Sequence, residues 1–161
     1  MRKLLKLVLL VLIVYPTVNL ISSCSEEADC SMSARPMTQC YLYKVDKTTN
    51  KLLNDTIDSL TVTAFGTDSI IINKLKKVHI FSLPLRYTVD STVYVMHYSK
   101  TSRDTMVIYN TNTPYFLSMD CGYQMKQAIT KVSCTRHSLD SLYIKNNEAG
   151  TYGQENLQLF Y

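Results

Sequence analysis

The sequence predicts an all-β fold, an antiparallel β-sandwich of about eight short strands, from a recurring turn-and-strand phrase and from the irregular spacing of its copies. Asp-Ser or Asp-Thr stands ahead of an apolar, β-branched or aromatic run five times, starting at residues 58, 68, 90, 104 and 140. Such short polar side chains bond their own backbone in turns, and the run behind them suits a pleated surface. The spacings of 10 to 36 residues between these starts are irregular, which indicates turns and not a solenoid repeat.

Further strands are predicted at Gln39–Val45, Val78–Leu83, Tyr115–Asp120 and Leu157–Tyr161, and turns at Lys47–Asn50, Phe65–Asp68, Asn110–Pro114 and Asn146–Gly150. The lysine group is predicted to lie in a solvated hairpin loop: Lys74, Lys76 and Lys77. Apolar residues between Met125 and Val132 match the helical i, i+3, i+4, i+7 pattern, but no stop signal separates them from residues 133–135, so they are predicted as a strand. These elements describe an immunoglobulin-like sandwich.

The first residues are typical of a cleaved signal peptide. A basic start precedes an apolar run from Leu7 to Tyr15, and nine residues are too few for a spanning helix, which needs about 20. Residues 20–24 read Leu-Ile-Ser-Ser-Cys, which resembles the lipobox of bacterial lipoproteins. The resemblance implies cleavage before Cys24 and acylation of its thiol and new amine, and two or three acyl chains anchor a protein stably. The alternative is an ordinary secretory signal whose Cys24 later joins a disulfide.

These predictions divide the chain into a signal peptide (1–23), an acylated acidic tether (24–36) and a single β-sandwich domain (37–161). Cleavage would leave 138 residues. The formal charge would fall from +4 to +1, because three of the 17 basic residues leave and no acidic residue does. A nearly neutral domain gives no support to nucleic-acid binding, which needs clustered basic side chains.

The tether begins with Ser25, Glu26 and Glu27. A serine followed by acidic residues resembles the export signal that sends lipoproteins of bacteroidete-type bacteria to the outer face of the outer membrane. The alternative is a solvated tether on a lipoprotein that faces the periplasm. In both cases the predicted location is the outer membrane, reached through the N-terminal acyl chains.

The chain is also similar to an uncharacterised family of small bacteroidete lipoproteins, a domain family with no assigned function. The similarity rests on an anchor cysteine closely followed by a second, Cys24 and Cys30. It also rests on four phrases: TAFG at 63–66, SLPL at 82–85, DCGY at 120–123 and HSLDS at 137–141. The resemblance implies a β-sandwich on a lipid anchor, and it implies no activity.

Four cysteines remain once Cys24 is lipidated, and an even number outside the cytoplasm predicts two disulfides. The family resemblance implies a pair between Cys30 and Cys121, which leaves Cys40 with Cys134. The alternative is local pairing, in which Cys30 joins Cys40 and Cys121 joins Cys134. A redox-active site is not expected, because the sequence has no C-x-x-C.

The sequence contains no recognisable catalytic or metal motif. His79, His97 and His137 show no ligand spacing with each other or with the cysteines, no serine lies in a G-x-S-x-G elbow, and only four glycines are present. We therefore predict a protein that is not an enzyme and has no metal and no cofactor. The alternative is a hydrolase whose serine, histidine and aspartate assemble only in space.

Tyrosines are the remaining candidates for binding. The mature chain carries eleven tyrosines and no tryptophan. Tyr41 and Tyr43 share one strand face, as do Tyr94 and Tyr98, and paired tyrosines form stacking platforms for sugars or hot spots for protein partners. The alternative is half-buried strand residues whose hydroxyls reach the rim. The predicted function is a non-catalytic, lipid-anchored binding or accessory module for another envelope protein, such as an outer-membrane β-barrel. A surface glycan or small-ligand binder is the alternative.

Overall fold

The computed structural model describes residues 6, 35–67, 69–150 and 153–161. The chain divides into two units, Met1–Met32 and Ser33–Tyr161, and all the strands below belong to the second. Several predictions fall outside the described residues: the signal peptide apart from Lys6, the lipidated Cys24, the export residues Ser25, Glu26 and Glu27, and Cys30.

The prediction of an all-β, sandwich-like fold is confirmed. The described part of the second unit contains eleven strands: β1 (Met37–Val45), β2 (Leu52–Asn54), β3 (Ile57–Ala64), β4 (Ile70–Val78), β5 (Ile80–Pro84), β6 (Ser91–His97), β7 (Arg103–Ser118), β8 (Gly122–Cys134), β9 (Ser141–Ile144), β10 (Glu148–Ala149) and β11 (Glu155–Phe160). One sheet has the order β2-β1-β11-β9, with β5 also paired to β1, and the other has the order β10-β8-β7-β6-β3-β4. We name them the first and the second sheet.

One apolar core lies between the two sheets. Strand side chains alternate between faces, so β1 buries Cys40 and Leu42 from the first sheet, while β6 and β7 bury Met96, Met106 and Ile108 from the second. Full burial of a side chain of this size contributes about 1.5–3 kcal/mol. The period-2 pattern that predicts these strands is therefore also what builds the core.

The sheets are antiparallel, as predicted, except at one pair. β1 and β11 run parallel, with Cys40 opposite Leu157 and Tyr43 opposite Phe160. A two-residue hairpin can join only antiparallel neighbours, whereas strands from opposite ends of a chain carry no such constraint. The first sheet is therefore mixed.

The turn predicted at Asn110–Pro114 is also wrong, because β7 passes through it without a break. Asn110 is buried, and its side-chain amide donates to the side-chain oxygen of Asn112 at 2.8 Å. Asn112 in turn donates to the carbonyl oxygen of Val89 at 3.0 Å, and Gln127 donates to Asn112 at 2.8 Å. These amides fasten a loop to the sheet and do not form a turn.

The lysine group lies on a strand and not in the predicted loop. Lys74, Lys76 and Lys77 belong to β4, which ends the second sheet. Lys74 and Lys77 have φ values of 46° and 50°, and the pairing with β3 is irregular. Lysines and local twists on an edge strand hinder pairing with other chains. The strand predicted around Met125–Val132 is confirmed as part of β8.

A candidate aromatic binding face

Tyr41 and Tyr43 lie on the outer surface of the first sheet. They alternate along β1 with the buried Cys40 and Leu42, so their rings point away from the core. Both side chains remain half-buried because neighbouring rings pack against them. The prediction that the two tyrosines share one strand face agrees with this geometry.

His79, in the connection between β4 and β5, packs against both tyrosines. Its ring centroid lies 5.9 Å from that of Tyr41 and 6.1 Å from that of Tyr43, with interplanar angles of 85° and 88°. Edge-to-face contacts of this kind are a preferred arrangement of aromatic rings. The His79 Nδ1 lies 2.9 Å from the carbonyl oxygen of Asp55. A carbonyl can only accept a hydrogen bond, so Nδ1 is the donor, which fixes the ring orientation.

Two further rings continue the surface across β11 and β9. Phe160 lies 6.1 Å from Tyr43, and Tyr143 lies 5.7 Å from Phe160 at an interplanar angle of 86°. Tyr143 is 57% exposed. We call the set of Tyr41, Tyr43, His79, Tyr143 and Phe160 the aromatic face. The sequence prediction missed its last three members, because they reach β1 only through long-range strand pairing.

Polar groups lie among these rings. Gln158 stands opposite Tyr41 on one side and Tyr143 on the other. Its side-chain amide donates to the carboxylate of Glu155 at 2.9 Å. Burial, followed by hydrogen bonding to Glu155, raises the pKa of Tyr43 to about 12. The Tyr43 hydroxyl is thus held by the carboxylate of Glu155 in the free protein.

Tyr94 and Tyr98, predicted as a second binding pair, belong to the core side of the second sheet. Tyr94 is 1% exposed, and its hydroxyl donates to the carbonyl oxygen of Pro84. Tyr98 packs against the core, its ring lies 5.2 Å from that of Tyr161, and burial raises the pKa of both phenols. The two do share a face, but it is the inner one, so they are not available as a surface platform.

A second polar cluster surrounds the buried carboxylate of Asp104 at the start of β7. The carboxylate accepts hydrogen bonds from the backbone N–H groups of His137 (2.8 Å), Ser138 (2.9 Å) and Leu139 (3.0 Å) and from the hydroxyl of Thr135 (2.7 Å). Burial alone would raise the pKa of Asp104, but these donors outweigh it and hold the pKa below its ordinary value. The carboxylate thus anchors the loop between β8 and β9.

The same cluster brings aspartate, histidine and serine together without forming a triad. The His137 Nδ1 lies 3.3 Å from Asp104, but the histidine side chain is 73% exposed. The Ser138 hydroxyl bonds to the hydroxyl of Ser102. Within the described residues the Ser138 hydroxyl is thus directed at another serine and not at His137, although nucleophile activation requires a contact between serine and histidine. The other histidines lie elsewhere, His97 bonding to Thr63 at 3.2 Å.

Cys40 and Cys134 are both free in the structure. The predicted disulfide between them is therefore wrong, and so are the local alternatives that use either residue. Cys40 is buried in the first sheet, while Cys134 ends β8 in the second. The completely buried Cys40 thiol instead donates a weak hydrogen bond to the carbonyl oxygen of Thr38, 3.9 Å away. The remaining predicted pair joins Cys121 to Cys30, which lies outside the described residues.

Neither a metal cluster nor a spanning helix occurs in the described part of the chain. No group of three or more His, Cys, Asp or Glu side chains is arranged there to hold a metal ion. No helix in the same residues has the length and apolar character needed to cross a membrane.

Comparison with known proteins identifies a family. A family model described as a family of unknown function, DUF6452, matches residues 59–161. No curated protein and no solved structure matches. The matched range contains His79, Tyr143 and Phe160, whereas Tyr41 and Tyr43 precede it. The aromatic face therefore combines residues inside the matched range with two residues that precede it.

Proposed function

This chain belongs to the DUF6452 family of unknown function, and we propose that it is a lipid-anchored outer-membrane protein whose β-domain is a non-catalytic binding module for another envelope protein. Cys24 would carry the acyl chains, and residues 24–36 would link them to the domain. The partner would contact the aromatic face. The proposal has two parts, the anchor and the binding face, which are tested separately.

The observation that carries the binding proposal is the contiguity of the aromatic face. His79 packs edge to face against both Tyr41 and Tyr43, and Phe160 links Tyr43 to Tyr143. Interlocked rings lose little conformational entropy when a partner covers them, and tyrosine is enriched among residues that dominate binding energy. The nearby Ile80 is 44% exposed and enlarges the apolar area.

A matched pair of variants tests the face. We expect the double substitution Tyr41→Ser with Tyr143→Ser to reduce crosslinking to an envelope partner in intact cells at least tenfold. Tyr109→Ser is the control, because Tyr109 is 40% exposed on β7 in the other sheet. Equal loss in the control and the double variant, or no loss in either, would refute a role for this face.

The anchor is tested by labelling cells with radioactive palmitate. The lipobox resemblance of residues 20–24 supports acylation of Cys24, so a Cys24→Ala variant is expected to lose the label. Proteinase digestion of intact cells then distinguishes the two orientations, because only a surface-exposed domain is degraded. Unchanged labelling of the variant would contradict the anchor.

Glycan binding is the second candidate, and the polar groups of the face favour it. Gln158 and Glu155 lie among the rings, and an amide beside a carboxylate is suited to hydrogen-bonding sugar hydroxyls. We expect a glycan array to show binding that Tyr143→Ser abolishes and Tyr109→Ser preserves. An array with no signal for the wild type would contradict this candidate.

We further propose a disulfide between Cys121 and Cys30. Cys121 carries no free thiol in the structure, whereas Cys40 and Cys134 do. Such a bridge would fasten the tether to the turn between β7 and β8. Peptide mapping without reduction is expected to recover a fragment that joins residues 30 and 121. Recovery of both as unmodified thiols would contradict the pairing.

A further inference from the structure

The ends of β7 and β8 form a ribbon that extends beyond the second sheet. The two strands pair with each other as far as Ser118 and Gly122. β6 accompanies β7 only to Tyr109, and β10 meets β8 only at Gln127 and Ala128. In the described residues, the portion past Thr113 is therefore two-stranded. Five residue steps at about 3.4 Å each give it a reach of about 17 Å.

This ribbon is apolar on both of its surfaces. Consecutive strand residues point to opposite faces, yet Tyr115, Phe116 and Leu117 are 43%, 52% and 42% exposed. At the turn Met119 is 90% exposed, and Tyr123 is 76% exposed. Phe116 and Tyr123 pack together with ring centroids 5.5 Å apart. We call Tyr115, Phe116, Leu117, Met119 and Tyr123 the apolar tip.

The tip has the composition of a segment that enters a lipid interface. Among the twelve residues from 114 to 125, Asp120 is the only charged one. A two-stranded ribbon is marginally stable in water and needs an apolar covering. Tyrosine rings at the flanks of an apolar segment are typical of the boundary between acyl chains and headgroups.

The position at which the chain enters the domain indicates what covers the apolar tip. Arg35, among the first described residues of the domain, lines a cleft of about 400 Å³ together with Tyr123 and Met125 of the ribbon. Cys24 precedes Arg35 by eleven residues, which span at most about 40 Å when fully extended. An acyl chain on Cys24 would thus confine the apolar tip to the vicinity of the bilayer, and such tethering raises the effective concentration of a second contact.

We infer that the apolar tip inserts into the lipid bilayer that holds the anchor, which makes it a second membrane contact of the domain. This inference rests on the acyl anchor proposed above. A reach of about 17 Å exceeds the depth of about 5–10 Å at which amphipathic segments bury apolar side chains at the boundary between headgroups and acyl chains, so the rings of the tip can enter this interface while the sandwich stays in water. At that depth water and headgroups still satisfy Asp120 and the open backbone edges of the ribbon. Because Asp120 is the only charged residue from 114 to 125, insertion does not depend on anionic lipid or on low salt.

The chain contains no tryptophan, so a single introduced indole reports on one position. The acylated full chain carrying Leu117→Trp is reconstituted in dioleoylphosphatidylcholine vesicles. We expect its emission to shift to shorter wavelength and to be quenched at least twofold by brominated phosphatidylcholine. Ile71→Trp, on β4 at the far edge of the same sheet, is the control and is expected to show neither change.

A second arm removes the anchor. We expect an unacylated chain that is produced without residues 1–23 and carries Cys24→Ser to float with the same vesicles, and Phe116→Ser with Met119→Ser to reduce its partition coefficient at least tenfold. Leu52→Ser with Leu53→Ser is the matched control, because these residues are 47% and 44% exposed on β2 of the other sheet. Circular dichroism establishes that each variant is folded.

The outcomes separate the inference from the anchor itself. An acylated, vesicle-bound chain without quenching at position 117 would overturn the insertion and leave the anchor standing. A shift to shorter wavelength without lipid would also overturn it, because the tip would then be covered by another part of this chain or by a second copy. Failure of the palmitate experiment would refute the anchor alone, and the flotation of the unacylated chain would still decide the insertion.

Discussion

The carboxylate of Asp104 accepts a hydrogen bond from the backbone N–H of Ser138 at 2.9 Å, and the two residues are 34 positions apart. The side chain of Asp104 is completely buried, and the neighbouring N–H groups of His137 and Leu139 point at the same carboxylate. This contact joins the start of β7 to the loop that leads into β9. Because β9 carries Tyr143, the loop also helps to position the aromatic face.

Replacing this carboxylate tests its structural role. Asp104→Asn keeps the size of the side chain, but the amide nitrogen cannot accept hydrogen bonds from the backbone donors. An unpaired buried donor costs about 1–3 kcal/mol, so we expect the free energy of unfolding to fall by about 3 kcal/mol. The measurement is urea denaturation followed by circular dichroism. Asp140→Asn is the control, since Asp140 is exposed. Similar small losses in both variants would contradict the anchoring role.

The low pKa of Asp104 predicts how stability changes with pH. The hydrogen bonds favour the charged form, so the folded pKa lies below the ordinary value of 3.8. This stabilisation is fully present above that ordinary value, and it is lost as the pH falls through the lower folded pKa. We expect the urea midpoint of the wild type to fall steeply below about pH 4 and that of Asp104→Asn to change less over the same range. If the urea midpoints of the two proteins changed with pH in parallel, the lowered pKa of Asp104 would be contradicted.

The hydroxyl groups of Tyr94 and Tyr41 are predicted to differ in their effect on stability. Tyr94→Phe leaves the carbonyl oxygen of Pro84 without its buried donor, and we expect a loss of about 1 kcal/mol in the free energy of unfolding. Tyr41→Phe removes a hydroxyl from the outer surface and is expected to change stability by less than about 0.5 kcal/mol. Thermal denaturation of both variants makes the comparison. A larger loss of unfolding free energy for Tyr41→Phe would contradict the placement of Tyr94 in the core and of Tyr41 on the surface.

Local sequence pattern predicted the strands but not which face of a strand is buried. Tyr41 and Tyr94 both alternate with neighbours that also suit a strand, so their local patterns are alike. Tyr94 is buried because β6 lies within the second sheet with its Tyr94 face against the first, whereas Tyr41 has only solvent and other rings beyond it. That difference is a property of how the sheets stack, which the alternation of one strand does not contain.

Predicting the aromatic face would have required knowledge of contacts between residues still further apart in the chain. Tyr43 stands opposite Phe160, 117 residues later, through a parallel pairing that no hairpin enforces. The same limit explains the wrong pairing of Cys40 with Cys134, because an even count of cysteines does not state which of them lie close together. The Asn110 error has another origin, since asparagine suits both a turn and a buried amide network.

The two free cysteines are predicted to react with alkylating reagents at different rates. Burial raises the pKa of the Cys40 thiol far above its ordinary value, and that of Cys134, which is only partly buried, to a smaller extent. The reactive species is the thiolate. Cys40 forms its thiolate less readily than Cys134, and its burial also shields it from the reagent. We expect iodoacetamide to modify Cys134 of the folded protein at least tenfold faster than Cys40. In denaturant the two rates should converge, which mass spectrometry of the peptides can establish. Faster modification of Cys40 in the folded protein would show that β1 opens before the end of β8 does, contrary to its central position in the first sheet.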